Sequence, residues 1–158
     1  MSEPRVRDAI DADADAACEV MRRSIAELCV QDHHNDPQIL KRWLANKQPA
    51  IFRSWLARAD NSVMVAVGSD RILAVGAVTD AGEITLNYVS PEARFRGVSR
   101  SLLRALEARA AERGNVHCTL ISTATARRFY LANGYGEVGL AQGHFGTNSG
   151  IPMRKALK

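Results

Sequence analysis

The sequence predicts an α/β (α+β) domain: a central mixed, mostly antiparallel sheet flanked by helices. Three observations carry this. Helical apolar spacing fills most of the chain before Asn61. Three apolar runs joined by tight turns, between Ser62 and Val89, read as an antiparallel meander. Helix and strand then alternate to the end, and the strand–helix–strand unit makes the Val116–Ile121 strand parallel to the Glu83–Val89 strand. At 158 residues the chain reads as one domain, 1–158, with room for a full core.

Arg5 to Ala9 is a short strand. Asp11 or Asp13 can cap the next helix, whose apolar face is Ala14, Cys18, Met21, Ile25 and Leu28. Asp36-Pro37 is a cap-then-proline start, followed by Ile39, Leu40, Trp43 and Leu44. Pro49 opens a helix with Phe52, Trp55 and Leu56 on one side. Both tryptophans and Phe52 read as core. Ser62–Val67, Arg71–Thr79 and Glu83–Val89 are strands, separated by Gly68-Ser69-Asp70 and Asp80-Ala81-Gly82. In the last, Ile84, Leu86 and Tyr88 alternate with Thr85 and Asn87. Pro91 stops it, since proline cannot donate to a ladder. Val98, Leu102, Leu103, Leu106 and Ala110 return to helical spacing, closed by Gly114. Val116–Ile121 is a strand, and Ser122 or Thr123 caps a helix ending at Asn133-Gly134. Tyr135–Leu140 and Ile151–Lys155 are the last strands, and glycine-rich 142–150 reads as a mobile loop.

Apolar content of 46% and charged content of 24% are ordinary for a globular protein. No apolar run is long enough to span a membrane, and Met1 to Asp8 lacks a signal-peptide core, so no membrane partner and a cytoplasmic location are expected. The three cysteines are scattered without a CxxC pair, so neither zinc nor a disulfide framework is expected. Net charge is +4. A nucleic-acid surface is one explanation, but the arginines gather between Arg94 and Arg128, and aromatics are not interleaved with them. Phosphate binding accounts for that bias without a nucleic-acid partner.

The stretch from Asn87 to Arg104 carries the chemistry. At Gly97 the backbone can approach a ligand closely. Ser99 and Arg100 open a helix whose unpaired N–H groups and dipole favour an anion. Arg94, Arg96 and Arg100 add positive charge there. The assembly suits a pyrophosphate, and it is neither GxxxxGK[ST] nor GxGxxG. A βα turn with solvated arginines is the plainer reading of the same residues.

Pro91-Glu92-Ala93-Arg94-Phe95-Arg96-Gly97-Val98-Ser99 resembles the Q/R-x-x-G-x-G/A acetyl-coenzyme A motif of the GNAT superfamily of N-acetyltransferases. Arg94 and Gly97 match, and Ser99 departs from the usual Gly or Ala. Ala126 to Tyr135 resembles the family's later A-x-x-x-Y-x-x-x-G-F/Y segment. The resemblance covers residues 62 to 158. It implies a GNAT fold, in which the two parallel strands splay after a bulge and admit the cofactor's pantetheine arm. The backbone of Asn87, Tyr88 and Val89 would bind that arm. Phe95, Arg96, Gly97, Val98, Ser99 and Arg100, with Arg94, would hold the pyrophosphate. Thr123 stands where many members carry a pantetheine-binding asparagine, and it can supply one hydrogen bond.

The resemblance further implies acetyl transfer from acetyl-CoA, without a metal, to a primary amine. Tyr130 would be the general acid and Glu83 the general base, against plainer readings as a core tyrosine beside Phe129 and a strand-edge glutamate. Cys118 stands where a ribosomal-protein-acetylating branch keeps a catalytic glutamate. Arg127 and Arg128 reach phosphate or are surface charges. His33 and His34, with Glu27 and Cys29, are acceptor-pocket candidates, although solvated loop histidines are the plainer reading. Asp32 and Asp36 beside them lack further metal-ligand spacing. One compact domain suggests a small-molecule acceptor. The alternatives are a protein or peptide N-acetyltransferase and a non-catalytic acyl-CoA-binding domain. Homodimers are common in this family.

Overall fold

The computed structural model describes residues 4–144 and 147–158. Strand β1 (Arg5–Asp8) leads through a 3-10 turn into α1 (Ala14–Leu28), followed by α2 (Val30–His33), α3 (Pro37–Leu44) and α4 (Pro49–Ala57). The meander is β2 (Asn61–Gly68), β3 (Arg71–Thr79) and β4 (Glu83–Val89). Then come α5 (Val98–Glu112), β5 (His117–Ser122), α6 (Arg127–Ala132), β6 (Gly136–Glu137), β7 (Gln142–His144) and β8 (Thr147–Ala156). The sheet order is β1-β2-β3-β4-β5-β8-β6, with β7 paired to β8. Only β4 and β5 run parallel among these pairs.

The expected elements recur, with four corrections. Asp13 does not cap α1. Its carboxylate accepts from the Ile10 N–H at 2.8 Å and pairs with Arg7, so the acid locks the preceding turn instead. The strand expected over 135–140 shrinks to Gly136–Glu137, because Tyr135 turns into the core and Val138 to Leu140 are exposed. Segment 142–150 is not a loop throughout: Gln142 and His144 pair with Gly150 and Thr147. Phe145 and Gly146 lie outside the described residues, as do Met1, Ser2 and Glu3.

The fourth correction shapes the site. Ala77 pairs with Leu86 but Val78 pairs with Ile84, so Thr85 is an extra residue that bulges β4. A bulge reverses which face later side chains take. Ile84 therefore packs under α5, while Leu86 and Tyr88 pack under α1. The simple alternation read from the sequence breaks at Thr85.

Helices cover both faces of β2 and β3, which explains their near-continuous apolar runs. On one face, Leu102, Leu103 and Leu106 of α5 cover Met64, Ala74 and Val78. On the other, Ala17, Met21 and Phe52 cover Val63, Val65 and Val75. Gly76 lets α5 lie close: a Cβ there would sit 2.8 Å from Leu106 and 3.1 Å from Leu102.

Candidate active site

A cleft of about 1030 Å³ opens where β4 and β5 part. The two strands pair only at Glu83↔Thr119 and Ile84↔Leu120. Beyond that point, Asn87, Tyr88 and Val89 pair with β3 alone, and Ile121 and Ser122 pair with β8 alone. Their facing edges offer main-chain N–H and C=O groups to an extended guest, since a strand edge left open is a pairing template.

At the mouth lies the loop before α5. Gly97 stands at φ +77°, which favours glycine, and a Cβ there would meet nothing within 4 Å. The first α5 bond at this end runs from the Ser101 N–H to Gly97 O, and no side chain caps the helix. The N–H groups of its first turn therefore lack an intrahelical acceptor, as an anion site requires. Arg94, Phe95, Gly97, Ser99 and Arg100 line the cleft. Phe95 is 90% exposed, with the Arg94 guanidinium 4.6 Å from its ring centre. Arg96 is exposed outside the lining, and Val98 is buried core that anchors α5. Glu92 holds the loop down by pairing with Arg23 and Arg71.

Tyr130 stands on α6, buried and edge-on to Phe129 and Tyr135, and it lines the cleft. It is thus the core ring of the plainer reading, and it also borders the cleft. Its phenol oxygen accepts a hydrogen bond from Asn87 Nδ2 at 3.0 Å. Accepting there leaves its own O–H free to be donated elsewhere. Burial pushes the phenol up to about 12, and the Asn87 bond offsets part of that. The group therefore holds its proton at neutral pH, as a proton donor must. The sequence offered Asn87 for its backbone and as a possible pocket residue; the bond from its side chain to Tyr130 is what the sequence did not show. An asparagine inside an apolar strand was the available signal, because strands are depleted in it.

The other candidates separate clearly. Glu83 borders the cleft at its closed end. It precedes the bulge, so it faces the α1 side, opposite Asn87. It also lies four positions from Asn87, roughly 13 Å along the strand. Thr123 lines the cleft while its Oγ1 accepts from the Ala126 N–H at 3.0 Å. Cys29 lines it as well, but burial pushes its thiol up to about 12, so it stays protonated. Glu27 is turned away and pairs with Arg23 at 2.9 Å. Arg128 lines the cleft, whereas Arg127 pairs with Glu137.

The histidines are not a solvated pair. His33 is fully buried, edge-on to Trp43. Its Nε2–H donates to Ile25 O and its Nδ1 accepts from the Asn35 N–H, both at 2.9 Å. Both ring nitrogens are thus spent on backbone, which leaves no base. His34 is exposed, ends α2 at φ +52°, and does not line the cleft. Asp36 caps α3 by accepting from Gln38 and Ile39. Lys47 is buried too, its Nζ 5.8 Å from the Tyr88 ring centre and bonded to Trp43 O and Asn46 Oδ1. Burial lowers it to about 8.

The family model for the acetyltransferase (GNAT) domain matches residues 29–157. The chain belongs to this family. The match reaches upstream of the motifs to the start of α2, beyond the segment that the sequence resemblance covered. Solved GNAT structures share the fold over nearly the whole chain. A GCN5-related N-acetyltransferase from Rhodopseudomonas palustris matches with TM-score 0.86 at 23% identity, over 99% of this chain and 98% of that one. The PaiA N-acetyltransferase of Thermoplasma acidophilum, solved in complex with coenzyme A, gives 0.86 at 16%, over 99% and 100%. The ribosomal-protein-S18-alanine N-acetyltransferase of Escherichia coli gives 0.69 at 19%, over 98% and 94%. No curated protein sequence matches the chain. The GNAT family supports acyl transfer from acetyl-CoA. Among the described residues no helix is long and apolar enough to cross a membrane.

Proposed function

We propose that this GNAT domain transfers the acetyl group of acetyl-CoA to a primary amine of a small molecule, with Tyr130 as general acid. The observation that carries this is the Asn87–Tyr130 bond in a cleft bounded by two open strand edges. Acetyl-CoA supplies an activated thioester whose sulfur needs a proton as it leaves. The β4 edge from Asn87 to Val89 binds the pantetheine amides, with Thr123 across the gap. The amides opening α5, with Arg94 and Arg100, hold the pyrophosphate. Tyr130 Oη gives its proton to the sulfur as the carbon–sulfur bond breaks. The amine forms the new carbon–nitrogen bond and passes a proton to Glu83 along a chain of waters, which the distance from Asn87 to Glu83 requires.

Glu83 is the one acidic side chain among the described lining residues, so it also favours an approaching ammonium group. The rest of that lining is largely apolar, including Leu28, Cys29, Ile121 and Val138, which suits a small organic amine. A screen of small amines against N-terminal and lysyl peptides, read by thiol release, separates the two acceptor classes. The decisive variant is Tyr130→Phe. Turnover at saturating acetyl-CoA should fall about 10²-fold while acetyl-CoA affinity holds. Undiminished turnover would remove Tyr130 from the chemistry. A Glu83→Gln enzyme that kept the wild-type acidic limb of its pH–rate profile would remove Glu83.

A further inference from the structure

The Asp32 carboxylate is 3% exposed and bonds to two segments far away in the chain. Oδ1 accepts from the Ala124 N–H at 2.7 Å and from Ser149 Oγ at 2.8 Å. Oδ2 accepts from the Thr125 N–H at 3.2 Å and from Thr125 Oγ1 at 2.6 Å. These donors are neutral and lie 92, 93 and 117 positions along the chain. Three pieces meet at one acid: α2, the β5–α6 turn, and the part of β8 just before its pairing with β5 begins at Ile151.

We propose that Asp32 is a positioning residue for acyl transfer, fixing the β5–α6 turn, and through it Tyr130, against the α1–α2 wall and the root of β8. This rests on the role of Tyr130 proposed above. Helix α6 has six residues and no side-chain cap at its own N-cap, Ala126. So short a helix does not hold itself in place. The turn before it is held from within by Thr123 Oγ1 and from outside by Asp32. The helix starts with the Tyr130 N–H bonded to Ala126 O at 3.1 Å, so a displaced turn displaces Tyr130. Thr123, Thr125 and Ala126 line the same cleft as Tyr130. The chemistry needs a carboxylate: donors converge on both oxygens, and an amide of the same shape would aim its NH2 at some of them.

The chain has three tyrosines, so 3-fluorotyrosine labelling yields three 19F resonances, with Tyr130 assigned by its loss in Tyr130→Phe. In Asp32→Asn, and to a lesser extent in Thr125→Val and Ser149→Ala, the Tyr130 resonance should move more than those of Tyr88 and Tyr135. Turnover with the best amine should fall about 10-fold or more in Asp32→Asn. The Kd for acetyl-CoA by calorimetry should change less than about threefold. Thr125→Ser, which keeps the hydroxyl, should retain both the spectrum and the turnover. An unmoved Tyr130 resonance overturns the proposal. So does an equal shift of all three resonances with a general loss of stability, which marks a merely structural acid. A moved resonance in Asp32→Asn beside full turnover in Tyr130→Phe leaves the positioning intact and defeats the catalytic role of Tyr130 instead.

Discussion

The β4–loop–α5 wall of the cleft and the α1–α3 layer packed behind it are held by different chemistry. The β4–loop–α5 wall works through main chain: an open strand edge, a left-handed glycine and an uncapped helix start. The α1–α3 layer works through buried polar side chains. His33 spends both ring nitrogens on backbone, Trp43 Nε1 donates to Tyr88 Oη at 3.0 Å, and Lys47 sits buried over the Tyr88 ring. A main-chain wall can accept a common ligand while its side chains vary. A side-chain layer is a packed network in which each polar member is costly to lose, because its partner is left buried and unpaired. Changes in the wall should therefore act on ligand affinity, and changes in the layer on stability and geometry.

Trp43→Ala probes the side-chain layer hardest. Trp43 is 1% exposed and packs with Ile25 and Cys29, so its truncation should cost about 3–5 kcal/mol in urea unfolding. A loss under about 1 kcal/mol would contradict the packed-network description. Asn87→Ala acts inside the cleft, between β4 and α6. It removes the donor to Tyr130 and weakens the phenol as an acid, so turnover should drop about 10-fold with acetyl-CoA binding little changed. A loss of binding without a loss of turnover would assign Asn87 to the cofactor alone.

Lys47 gives the side-chain layer a pH signature. Its folded value near 8 lies below the usual 10.5. Between those values the unfolded chain holds a proton that the folded chain has released, so this group's contribution to stability rises with pH through that window. Below pH 8 the buried amine is charged and that contribution is gone. Lys47→Met has no such dependence. The difference in urea midpoint between it and the parent should therefore change between pH 7 and pH 10, and parallel profiles would contradict the assignment. The smallest effect separates two neighbours. Arg128→Ala should weaken acetyl-CoA binding several-fold more than Arg127→Ala, whose guanidinium is taken by Glu137. Equal effects would erase that distinction.

The main-chain wall was readable in the sequence because its determinants are local. Pro91 ends a strand, Gly97 sits in the turn, and Leu102, Leu103 and Leu106 mark the helix, all within a short span. Tyr130 was readable by its motif. The family resemblance implied a bulge before the strands splay, but nothing in Glu83-Ile84-Thr85-Leu86 places it at Thr85, where it sends Glu83 to the opposite face from Asn87. Asp32, His33 and Lys47 look like solvated polar residues in a row of short helices. Their burial depends on partners elsewhere in the chain, up to 117 positions distant for Asp32, which no local pattern reports.

In the proposed function, the cleft between β4 and β5 binds acetyl-CoA with its pyrophosphate at the start of α5. Calorimetric titration of acetyl-CoA and of coenzyme A into the parent and into Gly97→Glu tests it most directly. The substitution puts an anion where the phosphates should lie, in open space where the fold has room for it. Both ligands should bind the parent saturably, and affinity should fall about 10²-fold or more in a variant that stays folded by circular dichroism. Equal binding by the folded variant, or none by the parent, would contradict that proposal.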